Sequence, residues 1–283
     1  MALPEEKVGL FATDIDGTLL NDFKETPEEN IRTLRVLGDR GVVRVAVTGR
    51  SLETARRVLT EESPLDYLVF SSGAGVCTWP DGVLLHENHM PSEDAQRVLH
   101  TLRKEGLSFM AQLPIPHNHK FYHEAGIESL RGDFHMRLEA YMDLAKPLDD
   151  VEKNFAEGLS QFIVTIPEDE ELYHRLHRLL RHKVEVIRAT SPFDGRSIWM
   201  ELFPIGVSKG SGLWWLCEEL RISEERVCVV GNDYNDLSML RRFPRCAYVV
   251  ANAPSALREE FKVVGECDEG GMAEAARLWW AKF

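Results

Sequence analysis

The chain has 283 residues, room for one large or two ordinary domains, and its 44% hydrophobic content is ample for a buried core, so it reads as globular. Lys and Arg number 33 against 46 Asp and Glu, a formal charge of -13 with no dense basic run. That balance argues against nucleic acid and anionic membrane as partners, while a small anionic substrate remains possible where cations cluster locally.

The apolar run Val8 to Ala12 reads as a buried strand, and at its end stand Asp14 and Asp16, one residue apart, with Gly17 permitting a sharp departure and Thr18 following. Two carboxylates where a parallel strand stops lie where open α/β folds keep their sites. One carboxylate can attack phosphorus while the other moves a proton, and the repulsion between them invites a hard divalent cation, Mg²⁺. Two plainer alternatives are a strand-to-turn junction and an EF-hand loop closed by Glu25. The loop fails because its sixth position is Leu19 in place of glycine and a strand, not a helix, precedes it.

Further along, Thr26-Pro27-Glu28-Glu29 marks a helix start, with Thr26 as N-cap, Pro27 at the first helical position and Glu29 closing a capping box. Ile31, Leu34 and Leu37 form its apolar face, and it stops near Gly41. Val42 to Val47 is a second strand, ending in Thr48-Gly49-Arg50-Ser51. Ser51 caps a helix carrying Leu52, Ala55, Val58 and Leu59. Tyr67 to Phe70 is a third strand, and a hairpin turning at Pro80-Asp81-Gly82 follows. This alternation predicts a doubly wound parallel sheet.

Near residue 87 the rhythm changes. A capped helix from Ser92 to Glu105, a strand near Ser108 to Gln112, an irregular stretch around Pro114 to His119, a helix over 127–141, a strand from Gln161 to Ile166, a helix from Glu168 to Arg181, and strands from Val184 to Ala189 and Ser197 to Phe203 follow. Residues 87–205 therefore read as an inserted α+β domain, with 1–86 and 206–283 forming one core. From Gly206 the first rhythm resumes: a helix from Ser208 with Leu213, Leu216 and Leu220, a strand Val227 to Val230, a helix with Leu237, Met239 and Leu240, a strand Ala247 to Val250, and a last helix through Trp279 and Trp280. No internal repeat is present. Five cysteines, Cys77, Cys217, Cys228, Cys246 and Cys267, have no Cys-x-x-Cys spacing and read as reduced core residues. Met1 to Lys7 lacks the basic start and apolar stretch of a signal peptide, and no segment approaches the roughly 18 apolar residues of a membrane span. A cytoplasmic location is the expectation.

Several of these ends carry polar groups of suitable kinds. The Thr48-Gly49 turn offers N–H groups to a phosphate oxygen. Asp233, Asn235 and Asp236 offer oxygens to a cation, and Lys209 lies in the first turn of a helix, beside an N-terminus that favours phosphate. Singly each is weak, since a Thr-Gly-Arg is most often a turn and a helix lysine most often solvated. Their order along the chain is the stronger signal.

In that order, Asp14-Ile15-Asp16-Gly17-Thr18, Thr48-Gly49-Arg50, Lys209 in Val207-Ser208-Lys209-Gly210, and Gly231 through Asp236 before Leu237-Ser238-Met239-Leu240, the sequence resembles the haloacid dehalogenase superfamily, and within it the Cof-like phosphatases. The resemblance covers nearly the whole chain and includes the turn Asn252-Ala253. It implies a Rossmann-like core with an α/β cap inserted after the third strand. It implies Asp14 as nucleophile and metal ligand, and Asp16 as acid/base with its backbone carbonyl on Mg²⁺. Thr48, Lys209 and Asn235 would contact the transferred phosphoryl group, with Ile15 and Gly49 in its binding loops. Where relatives read Gly-Asp-x-x-Asn-Asp, this chain has Asn232, which removes one charge from the metal site and leaves the ligands open between Asn232, Asp233 and Asp236. Ser72-Gly73-Ala74 stands where Asn-Gly-Ala is usual.

The implied reaction is Mg²⁺-dependent hydrolysis of a small phosphorylated metabolite, such as a sugar phosphate, through an aspartyl-phosphate. Asp16 would protonate the leaving oxygen, and a pKa raised by neighbouring Asp14 would serve that task. Two rivals are a non-catalytic phospho-ligand sensor with a weakened metal site and a phosphomutase. Substrate choice is expected in the inserted domain, where His117, Asn118 and His119 lie in a stretch rich in donors and aromatics. Zinc on His117, His119 and His123 would need a fourth ligand that is not evident. Trp214-Trp215 and Trp279-Trp280 read as core or interface. The oligomeric state is not specified by the sequence.

Overall fold

The five residues Gly9–Thr13 of strand β1 are all buried. Leu10 and Ala12 join the core on one face, and Phe11 meets Trp279 on the other with ring centroids 6.0 Å apart. A strand covered on both faces shows an unbroken apolar run instead of alternation, which is why it stands out in the sequence. The computed structural model describes residues 8–126 and 132–282.

After β1 come α1 (Glu28–Asp39), β2 (Val42–Val47), α2 (Leu52–Ala55), β3 (Tyr67–Phe70), β4 (Gly75–Thr78) and β5 (Leu84–Glu87). There follow α3 (Ser92–Lys104), β6 (Phe109–Gln112), β7 (Phe121–Glu124), α4 (Asp133–Ala140), β8 (Ala145–Pro147), α5 (Val151–Asn154), β9 (Gln161–Ile166), α6 (Glu170–Leu180), β10 (Glu185–Thr190) and β11 (Ile198–Phe203). The chain ends with α7 (Lys209–Glu219), β12 (Val227–Gly231), α8 (Leu237–Arg242), β13 (Ala247–Val250), α9 (Ser255–Glu260), β14 (Lys262–Val264) and α10 (Gly271–Trp280). Residues up to His86 together with Ser208 onward form one compact unit, and Glu87–Val207 forms the other.

The first unit holds a sheet in the order β14-β13-β12-β1-β2-β3-β4-β5. Every pair from β14 to β3 is parallel, and β4 runs antiparallel to β3. The fold class is thus α/β with a doubly wound parallel sheet. From the central β1 the chain steps outward through β2 and β3 on one side and through β12, β13 and β14 on the other. The strand order therefore reverses between β1 and β12, the position at which such sheets form a crevice beyond their carboxyl ends. The second unit is a sheet in the order β10-β11-β9-β6-β7-β8. Val98, Leu102, Leu176 and Leu180 of α3 and α6 pack with Phe109, Phe162 and Met200, and Phe134 of α4 packs with Phe121, Ile163 and Trp199. All five cysteines are buried and unpaired, and no described helix is long and apolar enough to cross a membrane.

Some local expectations give way. Thr26 does not cap α1, and Glu29 closes no capping box: Pro27 is itself the N-cap, at φ -52° and ψ 139°, with no side-chain cap. Pro91 does the same before α3, so Ser92 is its first helical residue and not its cap. The ring fixes φ but leaves ψ extended, and the proline carbonyl can accept the first helical bonds. Pro27 takes the N–H groups of Asn30 and Ile31 at 2.9 and 3.2 Å. Helix α2 ends at Ala55, short of Val58 and Leu59, although Ser51 caps it as expected by accepting the Thr54 N–H at 3.2 Å. Just after the stretch read as irregular, β7 forms a strand that was not expected, paired antiparallel with β6. Of the helix expected over 127–141, residues 127–131 lie outside the described residues, and α4 occupies Asp133–Ala140.

Candidate active site

Because β12, β1 and β2 are parallel neighbours, their carboxyl ends bring Asp14, Thr48 and the 231–236 loop to one edge of the first unit's sheet. Asp14 is anchored there by its own N–H, which donates to the Val230 carbonyl at 2.9 Å. Its side chain is only 5% exposed. Helix α7 supplies the cation. Ser208 caps α7 in a reciprocal capping box with Ser211, and Lys209, fully buried, follows directly.

The Lys209 ammonium donates to Asp14 Oδ1 at 2.6 Å, to Asp236 Oδ1 at 2.7 Å and to Asn235 Oδ1 at 3.1 Å. Three donors of one ammonium thus meet three oxygens. Burial works against the charge on Lys209, but Asp14 and Asp236 outweigh it and hold the ammonium well above its ordinary pKa. Lys209 therefore stays charged. For Asp14 burial is the largest influence; Lys209 opposes it, Asp236 and Asp16 reinforce it, and the carboxyl is pushed up to about 8. One lysine between two buried carboxylates leaves a surplus negative charge, and Asp14 bears that cost.

Asp236 is fully buried and occupied. Its Oδ2 accepts the N–H groups of Asn232 and Asp233 at 2.8 and 3.1 Å, while Asp233 caps the short turn Tyr234–Asp236. Asn232 lies on the turn after Asp14: a Cβ at Gly17 would come 2.5 Å from its Nδ2. That turn is braced from behind by Asn252, whose Nδ2 donates to the Gly17 carbonyl at 3.0 Å. Among the described residues, no three His, Cys, Asp or Glu side chains are arranged to hold a metal ion. The oxygen donors at this edge nevertheless suit Mg²⁺, which is commonly held by one or two carboxylates and keeps several waters. A second positive charge beside Asp14 would also relieve the surplus that lifts its pKa.

On the other side, Thr48 is 1% exposed, and its Oγ1 accepts the Arg50 N–H at 3.1 Å, leaving its proton to donate elsewhere. Gly49 lies between them in the same turn. Ile15 is buried between the two acids.

Asp16 departs from expectation. Burial would raise its pKa, but Arg50 and then Lys24 outweigh burial and hold the carboxyl down at about 2, where a raised value was expected. The Arg50 guanidinium donates from Nε to Oδ2 at 2.6 Å and from Nη2 to Oδ1 at 2.7 Å, and Lys24 Nζ adds a bond to Oδ1 at 2.8 Å. Lys24 escaped the sequence reading. Its only local sign is the tight turn Asn21–Glu25, in which Asn21 Oδ1 accepts the Phe23 and Glu25 N–H groups and Lys24 takes φ 62°.

His117, Asn118 and His119 lie in the second unit, in the loop joining β6 to β7. His117 is exposed and Asn118 buried. The rings of His117 and His119 stand edge to face, 6.3 Å apart.

Two buried acids, a buried lysine and a threonine turn at the ends of central parallel strands form a phosphoryl-transfer type of site, and residues 11–275 match the model of the haloacid dehalogenase-like hydrolases. The chain belongs to that family, in its Cof-like branch, and is a phosphoric monoester hydrolase. It is 26% identical over 273 residues to a 5-amino-6-(5-phospho-D-ribitylamino)uracil phosphatase of Bacillus subtilis, covering 96% of each chain. It is 25% identical over 285 residues to an HMP-PP phosphatase of Serratia proteamaculans, covering 95% of this chain and 94% of that one. A phosphatase of the superfamily from Bacteroides thetaiotaomicron shares the fold at a TM-score of 0.79, with 19% identity over 99% of this chain and 98% of the other.

Proposed function

We propose that this enzyme hydrolyses a small phosphorylated metabolite, with sugar phosphates the first class to try, through a phosphoaspartate on Asp14 and with Mg²⁺ as cofactor. The observation that carries the proposal is the grip of buried Lys209 on Asp14 Oδ1 at 2.6 Å. It fixes one carboxylate oxygen and leaves Oδ2 without a hydrogen bond among the described residues, free to form the bond to phosphorus. As that bond forms, the ester oxygen leaves with a proton from Asp16. Water then attacks the phosphoaspartate, giving a proton back to Asp16, and inorganic phosphate departs.

The charge spread over the phosphoryl oxygens is met by the Lys209 ammonium, the Thr48 hydroxyl and the backbone N–H groups near Ile15 and Gly49, with Asn235 orienting the lysine. Mg²⁺ would be held by the Asp14 carboxylate, the Asp16 carbonyl and the Asn232 amide oxygen, and would supply further neutralisation of the phosphoryl group. Asp233 and Asp236 shape the loop that carries Asn232, since Asp236 accepts the loop's own N–H groups and Asp233 opens its turn. Substrate choice is assigned to the Glu87–Val207 unit, with His117 and His119 the first residues to vary, because the groups around Asp14 address only phosphate. A cytoplasmic location goes with such a substrate.

The test is release of inorganic phosphate from a panel of phosphorylated metabolites, with and without Mg²⁺, by the wild type and Asp14→Asn. Release that needs both Mg²⁺ and Asp14 supports the proposal. Release that persists in Asp14→Asn contradicts the nucleophile, and an isomeric sugar phosphate in place of free sugar contradicts hydrolysis.

A further inference from the structure

Arg50 is placed to do more than close the turn after Thr48. Its guanidinium engages both oxygens of Asp16, from Nε at 2.6 Å and from Nη2 at 2.7 Å. The group is itself tied down, for Nη1 donates to the Thr54 carbonyl at 3.2 Å and the Arg50 N–H donates to Thr48 Oγ1. Its carbonyl receives the Ser71 N–H at 2.8 Å. One residue thus joins the turn that presents Thr48 to the carboxylate of Asp16, 34 positions earlier in the chain. Both side chains are partly solvent-exposed, 23% and 35%, so the pair adds little to stability. What a planar fork gives beyond that is direction: it fixes the plane and rotation of the carboxylate, which a lysine cannot do. Lys24 reaches only Oδ1.

We propose that Arg50 is a positioning residue for the second half of the reaction, holding the Asp16 carboxylate as the base that takes a proton from water. This rests on Asp14 as nucleophile and Asp16 as base. In that step a water oxygen bonds to phosphorus, the bond from phosphorus to the Asp14 oxygen breaks, and one water proton passes to Asp16. The fork holds both Asp16 oxygens in one plane, and the attacking water must meet one of them in a fixed direction, so the geometry suits this half of the cycle. With a good leaving group such as p-nitrophenolate the first half needs no acid, which separates the two halves experimentally.

The experiment is rapid quench of the Mg²⁺-loaded enzyme with p-nitrophenyl phosphate, measuring formation and decay of the phosphoenzyme separately. In Arg50→Lys and Arg50→Ala, decay should slow on the order of 10²-fold, as for loss of a general base, with formation within about threefold of wild type. Added guanidinium should restore decay in Arg50→Ala, and methylammonium should not. Equal slowing of both steps, slowing of formation alone, or a rise in KM alone would overturn the proposal and place Arg50 on the phosphoryl group or in the fold. Turnover by Asp14→Asn, or wild-type turnover without any phosphoenzyme, would instead refute the nucleophile on which it rests.

Discussion

Lys209 has no exposed surface and faces the carboxylates of Asp14 and Asp236 at 2.6 and 2.7 Å. Removing it strands two buried acids, and breaking a buried pair from one side costs about 3–5 kcal/mol. Lys209→Met should therefore lower the unfolding free energy by that order, read from urea denaturation, as well as abolish phosphate release; an unchanged free energy would mean that the acids find other partners. Asp14 and Asp16 should leave opposite marks on the pH dependence of stability. Asp14 is pushed up to about 8, so without metal its contribution is complete below about pH 4 and is lost as pH rises through about 8. Unfolding free energies of the wild type, taken relative to Asp14→Asn, should fall across that window. Asp16, held down at about 2, contributes above about pH 4, and its share is lost on acidification toward about 2. A wild type that gains on Asp14→Asn between about pH 5 and 8 would show that the surplus charge does not sit on Asp14.

At the scale of elements, the site depends on how closely α7 approaches the turn after β3. A Cβ on Gly73, whose φ is +96°, would lie 2.0 Å from the Ser208 carbonyl, and one on Gly212 would lie 2.7 Å from the Gly73 Cα. Backbone meets backbone there, one residue before Lys209. Gly73→Ala should cost about 1–3 kcal/mol in strain and displace the lysine, lowering phosphate release more than unfolding explains; calorimetry and activity on the same preparation check this. The elements of this unit were legible where burial is two-sided: β1, β2, β3, β12 and β13 are short apolar runs ending in polar turns. Less legible were β7, whose His123 and Glu124 conceal its pairing, and short pieces such as β8, α5, α9 and β14. The proline-led starts of α1 and α3 misled because a threonine or serine beside a proline looks like a cap. Contacts are a different matter. Lys209 meets Asp14 across 195 positions, and only the order of the motifs hinted at it. The grip of Arg50 and Lys24 on Asp16 left no sequence signal, and it reversed the pKa expected there.

Over the whole molecule the formal charge is -13, yet the lysine, the arginine and the helix start are gathered where an anion would be processed. Composition limits partners, and local arrangement overrides it. The departure at Asn232 belongs to the same balance: an amide in place of a carboxylate would leave the proposed Mg²⁺ site one charge poorer. Asn232→Asp should bind Mg²⁺ about tenfold more tightly, read as a larger thermal shift on titration with Mg²⁺ in the absence of substrate; an unchanged shift would move the ligand elsewhere. The most direct test of the central claim is acid quench of the enzyme during turnover of a radiolabelled phosphate ester, followed by peptide mapping. Label on the peptide containing Asp14, absent in Asp14→Asn, is the predicted result. Steady phosphate release with no label on the protein, or label on another peptide, would contradict it.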